Sequence, residues 1–76
     1  MPTELPEWVP AARRAVGDRI RVRRLHQNLT QEALAHAAGV DRSTIQRMEG
    51  GHEMKLSHLL LVAHALRVHV TDLLHG

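Results

Sequence analysis

The chain contains the sequence pattern of a capped helix start at Thr30. Leu29-Thr30 precedes Gln31-Glu32-Ala33-Leu34. Thr30 is a good N-cap, because its hydroxyl can accept a hydrogen bond from a free backbone N–H of the first turn. Leu29 and Leu34 stand at the spacing of a hydrophobic staple, which fixes how the chain enters a helix. The pattern predicts a helix that begins at Gln31.

A second start of the same construction follows eleven residues later. Val40-Asp41 precedes Arg42-Ser43-Thr44-Ile45, with Asp41 as the cap and Val40 and Ile45 as the staple. Gly39 lies between the two helices and tolerates the positive φ that a helix end and a sharp turn require. Two short capped helices joined by one glycine turn predict a helix-turn-helix.

The rest of the chain predicts three more helices and no strand. Pro2, Pro6 and Pro10 indicate a short N-terminal arm over residues 1–10, because proline disrupts a helix interior. Val16, Ile20 and Leu25 recur at helical spacing and predict a first helix over 11–26. Similar patterns predict a fourth helix over 56–67 and a short fifth around 70–74. We therefore expect an all-α, compact five-helix domain over residues 11–76.

Composition excludes several classes of function. The chain has 76 residues and no cysteine, which rules out disulfides and thiolate metal sites. Its seven histidines have no metal-ligand spacing, so we expect them to face solvent and expect no metal and no cofactor. One tryptophan cannot form a stacking platform for single-stranded nucleic acid. No apolar run is long enough to cross a membrane, so we expect a cytoplasmic protein. The chain is too short for a substrate pocket of ordinary size, so we expect that it is not an enzyme.

The charge of the chain is concentrated in one segment. The formal net charge is only +2, but residues 11–30 hold six arginines and one aspartate. Such a segment can bind a polyanion, and it can equally be a solvated helix face.

The second short helix has one face free of aliphatic residues. Ile45, Met48 and Glu49 share one side, which the staple directs toward the core. The opposite side carries four side chains that can form hydrogen bonds: Arg42, Ser43, Gln46 and Arg47. Arginine can donate in a fork to guanine, and glutamine can pair with adenine. An exposed helix face is usually polar in any case, but the capped helices and the glycine turn beside it favour DNA.

These residues resemble a known family. Thr30 to Val40 and Ser43 to Gly51 are similar to the helix-turn-helix of the phage lambda-type repressor and Cro family (Xre type), with the patterns T-Q-x-x-L-A-x-x-x-G-V and S-T-I-x-x-x-E-x-G. The resemblance covers about residues 20–74. It implies a transcriptional regulator that binds double-stranded DNA, usually as a homodimer on a palindromic operator, with the helix over 42–49 in the major groove.

The resemblance also implies roles for single residues. Arg24 would pair with Glu49, which lies on the inward face and would be costly to bury alone. Base edges would be read by Arg42, Ser43, Gln46 and Arg47. Phosphates would be bound by Gln31, Thr44, His52 and Lys55. The chain departs from the family at Lys55, where relatives usually have a serine or threonine cap, and at Arg67, where a glycine-type helix end is frequent.

Four apolar residues suggest a second kind of surface. Leu61 stands where similar domains are commonly polar, and Val68 and Val70 follow closely, so together they can form a patch for a partner or a slightly enlarged core. Trp8 can either tie the arm to the body or contact a second subunit. If these four residues carry the function, the alternative is a protein-interaction module on the same scaffold, like an antitoxin or an anti-repressor.

Overall fold

The computed structural model describes residues 4–75, and within that range the chain forms five α-helices. Their bounds are Trp8–His26 (α1), Gln31–Ala38 (α2), Arg42–Glu49 (α3), Leu56–Leu66 (α4) and Val70–Leu74 (α5). α2 and α3 pack together, α1 lies across α3, α4 and α5, and α4 also packs on α2 and α5. The predicted all-α architecture and the helix-turn-helix are both confirmed.

The first helix begins earlier than the prolines indicate. We expected its start at Ala11, but α1 begins at Trp8, with Glu7 as N-cap. Pro10 therefore lies in the first turn. Proline is tolerated there because the first backbone N–H groups of a helix have no partner within it. The division into an arm and a domain remains a prediction, and Met1, Pro2, Thr3 and Gly76 lie outside the described residues.

The turn between α2 and α3 forms as the sequence predicts, with one exception. The N–H of Ala33 donates to the hydroxyl of Thr30 at 3.0 Å, which caps α2. Gly39 ends α2 in the left-handed region, with φ 75° and ψ 31°. Asp41 occupies the N-cap position of α3 in extended conformation, but its side chain makes no capping hydrogen bond. The prediction was right about the position of Asp41 and wrong about this bond.

The core lies between all five helices and is almost purely aliphatic. Leu29 and Val40, the outer halves of the two staples, are partly buried against it. Its buried members are Val16, Ile20, Leu34, Ala35, Ala38, Ile45, Met48, Leu59, Val62, Ala63, Leu66 and Leu73. Of the three residues whose spacing predicts the first helix, Val16 and Ile20 lie in this core and Leu25 is 51% exposed. Arg24 takes the inward position of that turn, because its charge has a partner inside.

Both ends of α4 form without the residues that are usual there. Lys55 occupies the N-cap position and makes no side-chain capping bond, yet α4 begins at Leu56 as predicted. At the other end Arg67 adopts φ 59° and ψ 41°, the left-handed conformation that glycine favours. The chain then enters α5, where the N–H of His69 donates to the carboxylate of Asp72 at 3.0 Å.

Three long side chains, two on α1 and one directly after it, donate hydrogen bonds to carbonyls near the ends of other elements. Arg13 Nε donates to the carbonyl of Gly51 at 3.2 Å, and Arg19 Nη1 donates to the carbonyl of Leu73 at 3.2 Å. Gln27 Nε2 donates to the carbonyl of Leu66 at 2.7 Å. Each bond satisfies a carbonyl that its own helix or loop leaves free. A part of the arginine-rich segment is therefore structural.

Candidate nucleic-acid interface

A buried ion pair fixes α3 against α1. Arg24 Nε donates to Glu49 Oε2 at 2.7 Å, and Arg24 Nη2 donates to Glu49 Oε1 at 3.0 Å. The two side chains are only 10% and 5% exposed. Hydrogen bonding to Glu49 raises the pKa of Arg24 while burial lowers it, and the net change is upward. This is the pair that the family resemblance implies, and it orients the last turn of α3.

The backbone of α1 approaches α3 closely at Gly17. A Cβ atom built on Gly17 would lie 2.8 Å from the carbonyl oxygen of Glu49 and closer still to that of Met48. Both neighbours are backbone atoms, which cannot move aside as a flexible side chain can. Only glycine fits this position without moving one helix. The close approach sets the distance between α1 and the end of α3.

The side of α3 that lies opposite the ion pair and the Gly17 contact is exposed to solvent. All four residues predicted to read bases are exposed there: Arg42, Ser43, Gln46 and Arg47. Ile45 and Met48, on the inward side, are fully buried. The face carries two guanidiniums, one hydroxyl and one amide, which together can donate and accept hydrogen bonds.

On one flank of α3, two shallow depressions adjoin at Gln31. Arg42 lines the first, of about 450 Å³, together with Thr30 and Gln31 at the start of α2. Gln46 lines the second, of about 270 Å³, together with Gln31 and Arg21 of α1. Arg21 was not among the predicted site residues. A signal for it existed, because it precedes the predicted pair member Arg24 by three positions and so shares its helix face.

The amide of Gln31 is partly committed within the protein. Its Nε2 donates to Glu49 Oε1 at 3.3 Å, and the side chain is half-buried. An amide nitrogen carries two hydrogens and the amide oxygen can accept, so capacity for another ligand remains.

The other flank of α3 faces the loop before α4. Thr44, Arg47 and Lys55, which were predicted separately, line one depression of about 200 Å³. Glu53 and His58 line it as well and were not predicted. His52 does not line it: its ring lies near Gly50, and its backbone N–H donates to the carbonyl of Arg47 at 3.0 Å.

The four candidate interface residues do not form one uniform patch. Trp8 is 71% exposed, so the interpretation that it packs onto the body is wrong. Leu61 is 44% exposed. Val68 and Val70 are half-buried and pack against the core, as an enlarged core would have them. Trp8 and Leu61 are therefore the two candidates that present apolar surface to solvent.

Residues 4–75 lack two features that are typical of other functional classes. None of the helices there combines the length and hydropathy that crossing a bilayer demands. In the same range, no cluster of three or more His, Cys, Asp or Glu side chains is arranged to hold a metal ion.

Known proteins show the same arrangement. A family model described as "Helix-turn-helix" matches residues 20–73. The restriction-modification controller protein C.AhdI from Aeromonas hydrophila is 34% identical, with a TM-score of 0.79, over 83% of this chain and 97% of its own. The hypothetical transcription factor NHTF from Neisseria is 30% identical, with a TM-score of 0.82, over 100% of this chain and 87% of its own.

The clp gene regulator ClgR from Corynebacterium glutamicum is 31% identical, with a TM-score of 0.77, over 96% of this chain and 72% of its own. No curated protein matches the chain. The similar structures are named as a controller protein, a transcription factor and a gene regulator, and none of these names describes an enzyme.

Proposed function

Because the chain belongs to the helix-turn-helix family of lambda-repressor type, we propose that it is a sequence-specific regulator of transcription whose α3 enters the major groove of DNA. The fold and the similar regulators support DNA binding as the general activity. The cytoplasm, expected from the sequence, is part of the proposal, since the protein must share a compartment with its DNA.

One observation carries the proposal: the exposed face of α3 holds four hydrogen-bonding side chains on a helix that two internal contacts orient. Arg42 and Arg47 can each donate in a fork to guanine O6 and N7, and Gln46 can pair with adenine. Ser43, between them along the helix, can donate or accept. In helix-turn-helix proteins the second helix reads bases while the first crosses the DNA backbone. By this geometry α2 would bind phosphates through Gln31.

Arg47 provides the direct test of base reading. Arg47→Ala should cost about 1–3 kcal/mol of binding free energy and relax specificity at one base position, because a bidentate contact discriminates one base from the others. The measurement is selection of bound sequences from random DNA for the parent and the variant, followed by titration of the selected sequence and its single-base changes.

Gln31→Ala is the matched comparison for Arg47→Ala. A phosphate contact carries no sequence information, so this variant should weaken binding to all sequences about equally. If Arg47→Ala also binds every sequence variant in the same order and ratio as the parent, α3 does not read bases through this face.

Homodimerisation through the exposed side of α4 is the second part of the proposal. Leu61 is exposed although it is a large apolar residue, and Leu60 beside it is 48% exposed. A dimer would place two copies of α3 on a palindromic operator, with half-sites one helical turn apart, about 34–36 Å.

Leu61→Glu should abolish the dimer and leave the fold intact, since the side chain is not part of the core. Linking two binding units raises affinity by about 10²–10⁴, so the variant should lose that much on a palindrome and almost nothing on a single half-site. Light scattering gives the oligomeric state. Leu25→Glu, a comparably exposed leucine on α1, is the control; equal behaviour of the two variants would remove Leu61 from the interface.

The exposed Trp8 favours a second candidate function, a protein-interaction module. Tryptophan is enriched at the centres of interfaces, and 71% of this residue is exposed to solvent. Salt distinguishes the two functions. DNA binding should weaken steeply with salt, because bound counterions are released, whereas an apolar protein contact should hardly change.

A further inference from the structure

We propose that Arg21 binds a phosphate of the DNA backbone, in the depression that it lines with Gln31 and Gln46 between α1, α2 and α3. The inference rests on the proposed function and deepens it. It adds α1 to the two helices that the helix-turn-helix itself brings to DNA.

The position of Arg21 follows from the two contacts that join α1 to α3. Gly17 and Arg24 lie one turn before and one turn after Arg21, on the same face of α1. Gly17 lets the backbone of α1 approach the last turn of α3, and Arg24 donates hydrogen bonds to Glu49 in that turn. Arg21 is therefore held beside the end of α3, where Gln46 and Gly50 line the same depression.

The charge of the depression is positive because of Arg21 alone. Arg24 and Glu49 also line it, but they are bonded to each other and neutralise each other. The carboxylate of Glu49 already accepts from three donors, two on Arg24 and one on Gln31. Arg21 is exposed, and within residues 4–75 it makes no hydrogen bond or ion pair. Its guanidinium is available to a ligand.

The other polar side chains of the depression can donate hydrogen bonds to the oxygen atoms of a phosphate group. The amides of Gln31 and Gln46 face the same space as Arg21, and a guanidinium donates to phosphate in a bidentate fork. The depression adjoins the one lined by Arg42 across Gln31. A DNA strand that follows α2 would then meet Arg42, Gln31 and Arg21 in turn.

Arg23 supplies a matched control on the same helix. It is exposed and carries the same charge, but it faces away from α3 and lines a cleft between α1 and α5 with Asp72 and His75. Arg21→Ala and Arg23→Ala therefore lower the net charge equally. Only the first removes a guanidinium from the depression beside α3.

The experiment measures the affinity of the parent and both variants for a mixed-sequence DNA duplex as salt is varied. Each phosphate contact contributes about 0.9 to the slope of log K against log salt. Between about 50 and about 200 mM salt, Arg21→Ala should therefore lose about 3.5-fold less affinity than the parent does. Arg23→Ala should keep the parent slope, and Arg21→Lys should keep most of it, because lysine also binds phosphate as a point charge.

The outcomes distinguish failure of the Arg21 contact from failure of the proposed DNA-binding function. If the parent binds with a steep salt dependence and the two alanine variants behave alike, the effect is one of net charge and the inference is overturned alone. If the parent shows no salt-dependent binding, the proposed function fails and the inference fails with it. Thermal unfolding of both variants should match the parent, because both side chains are exposed.

Discussion

Glu49→Ala should lower the free energy of unfolding by about 3–5 kcal/mol, which is the cost of leaving a buried charge without its partner. Arg24 is 90% removed from solvent, and two of its three hydrogen bonds go to Glu49. Its remaining bond, from Nη1 to the carbonyl of Leu29 at 2.8 Å, cannot neutralise the guanidinium. At about 0.05–0.15 kcal/mol per residue, a domain of 76 residues has a total stability of about 4–11 kcal/mol, so the variant loses much of its folding free energy. Thermal and urea unfolding followed by circular dichroism measure the loss.

Two companion variants identify the mechanism of that loss. Glu53→Ala removes an exposed glutamate from the nearby loop and should change stability by no more than about 0.5 kcal/mol. The double variant Arg24→Met with Glu49→Leu should recover most of the loss, because replacing a whole buried ion pair by apolar residues is often neutral or stabilising. If Glu49→Ala and Glu53→Ala unfold at the same temperature, the pair contributes nothing to stability.

Gly17→Ala should also destabilise the domain, by about 1–3 kcal/mol, although alanine is the better helix former. At an unobstructed helix position the same exchange stabilises by up to about 1 kcal/mol, so the sign of the effect is informative. The added methyl group would meet the carbonyl oxygens of Met48 and Glu49, and one helix must move. Unfolding curves of the parent and the variant give the difference.

Gly50→Ala is the control for the crowding at Gly17. Gly50 ends α3 with φ −80°, and a Cβ there would approach the carbonyl oxygen of Gln46 only to 3.2 Å. The loss should be smaller than that of Gly17→Ala. Stabilisation by Gly17→Ala would mean that α1 and α3 are not in close contact. Since Arg21 follows Gly17 by one turn, displacement of α1 should also weaken DNA binding.

The local parts of the fold could be predicted from sequence because their causes are local. The cap at Thr30 and the left-handed turn at Gly39 depend on residues within one or two turns, and both form as expected. Pro10 misled the prediction because its position within the first turn, and not its presence, decides whether a helix tolerates it.

The parts that local sequence patterns do not predict depend on residues distant in sequence. In the last turn of α1, Arg24 faces inward because Glu49, 25 residues later, supplies a carboxylate, while Leu25 is exposed. The family resemblance implies this pair, but the spacing of apolar residues within α1 does not reveal it. The spacing of Arg21 to Arg24 indicates its helix face, but its distance from α3 depends on how closely α1 approaches α3 at Gly17.

The three long-range hydrogen bonds that side chains in and directly after α1 donate have a consequence for folding during synthesis on the ribosome. Arg13, Arg19 and Gln27 bind carbonyls that lie 38, 54 and 39 residues further along the chain. When this segment has left the ribosome, the residues that carry the acceptor carbonyls are still in the exit tunnel or not yet synthesised. Contacts of long sequence separation form late, because the intervening chain must first be ordered. We therefore expect the polypeptide to remain without its native packing until Leu73 has left the exit tunnel, and then to fold in one cooperative step.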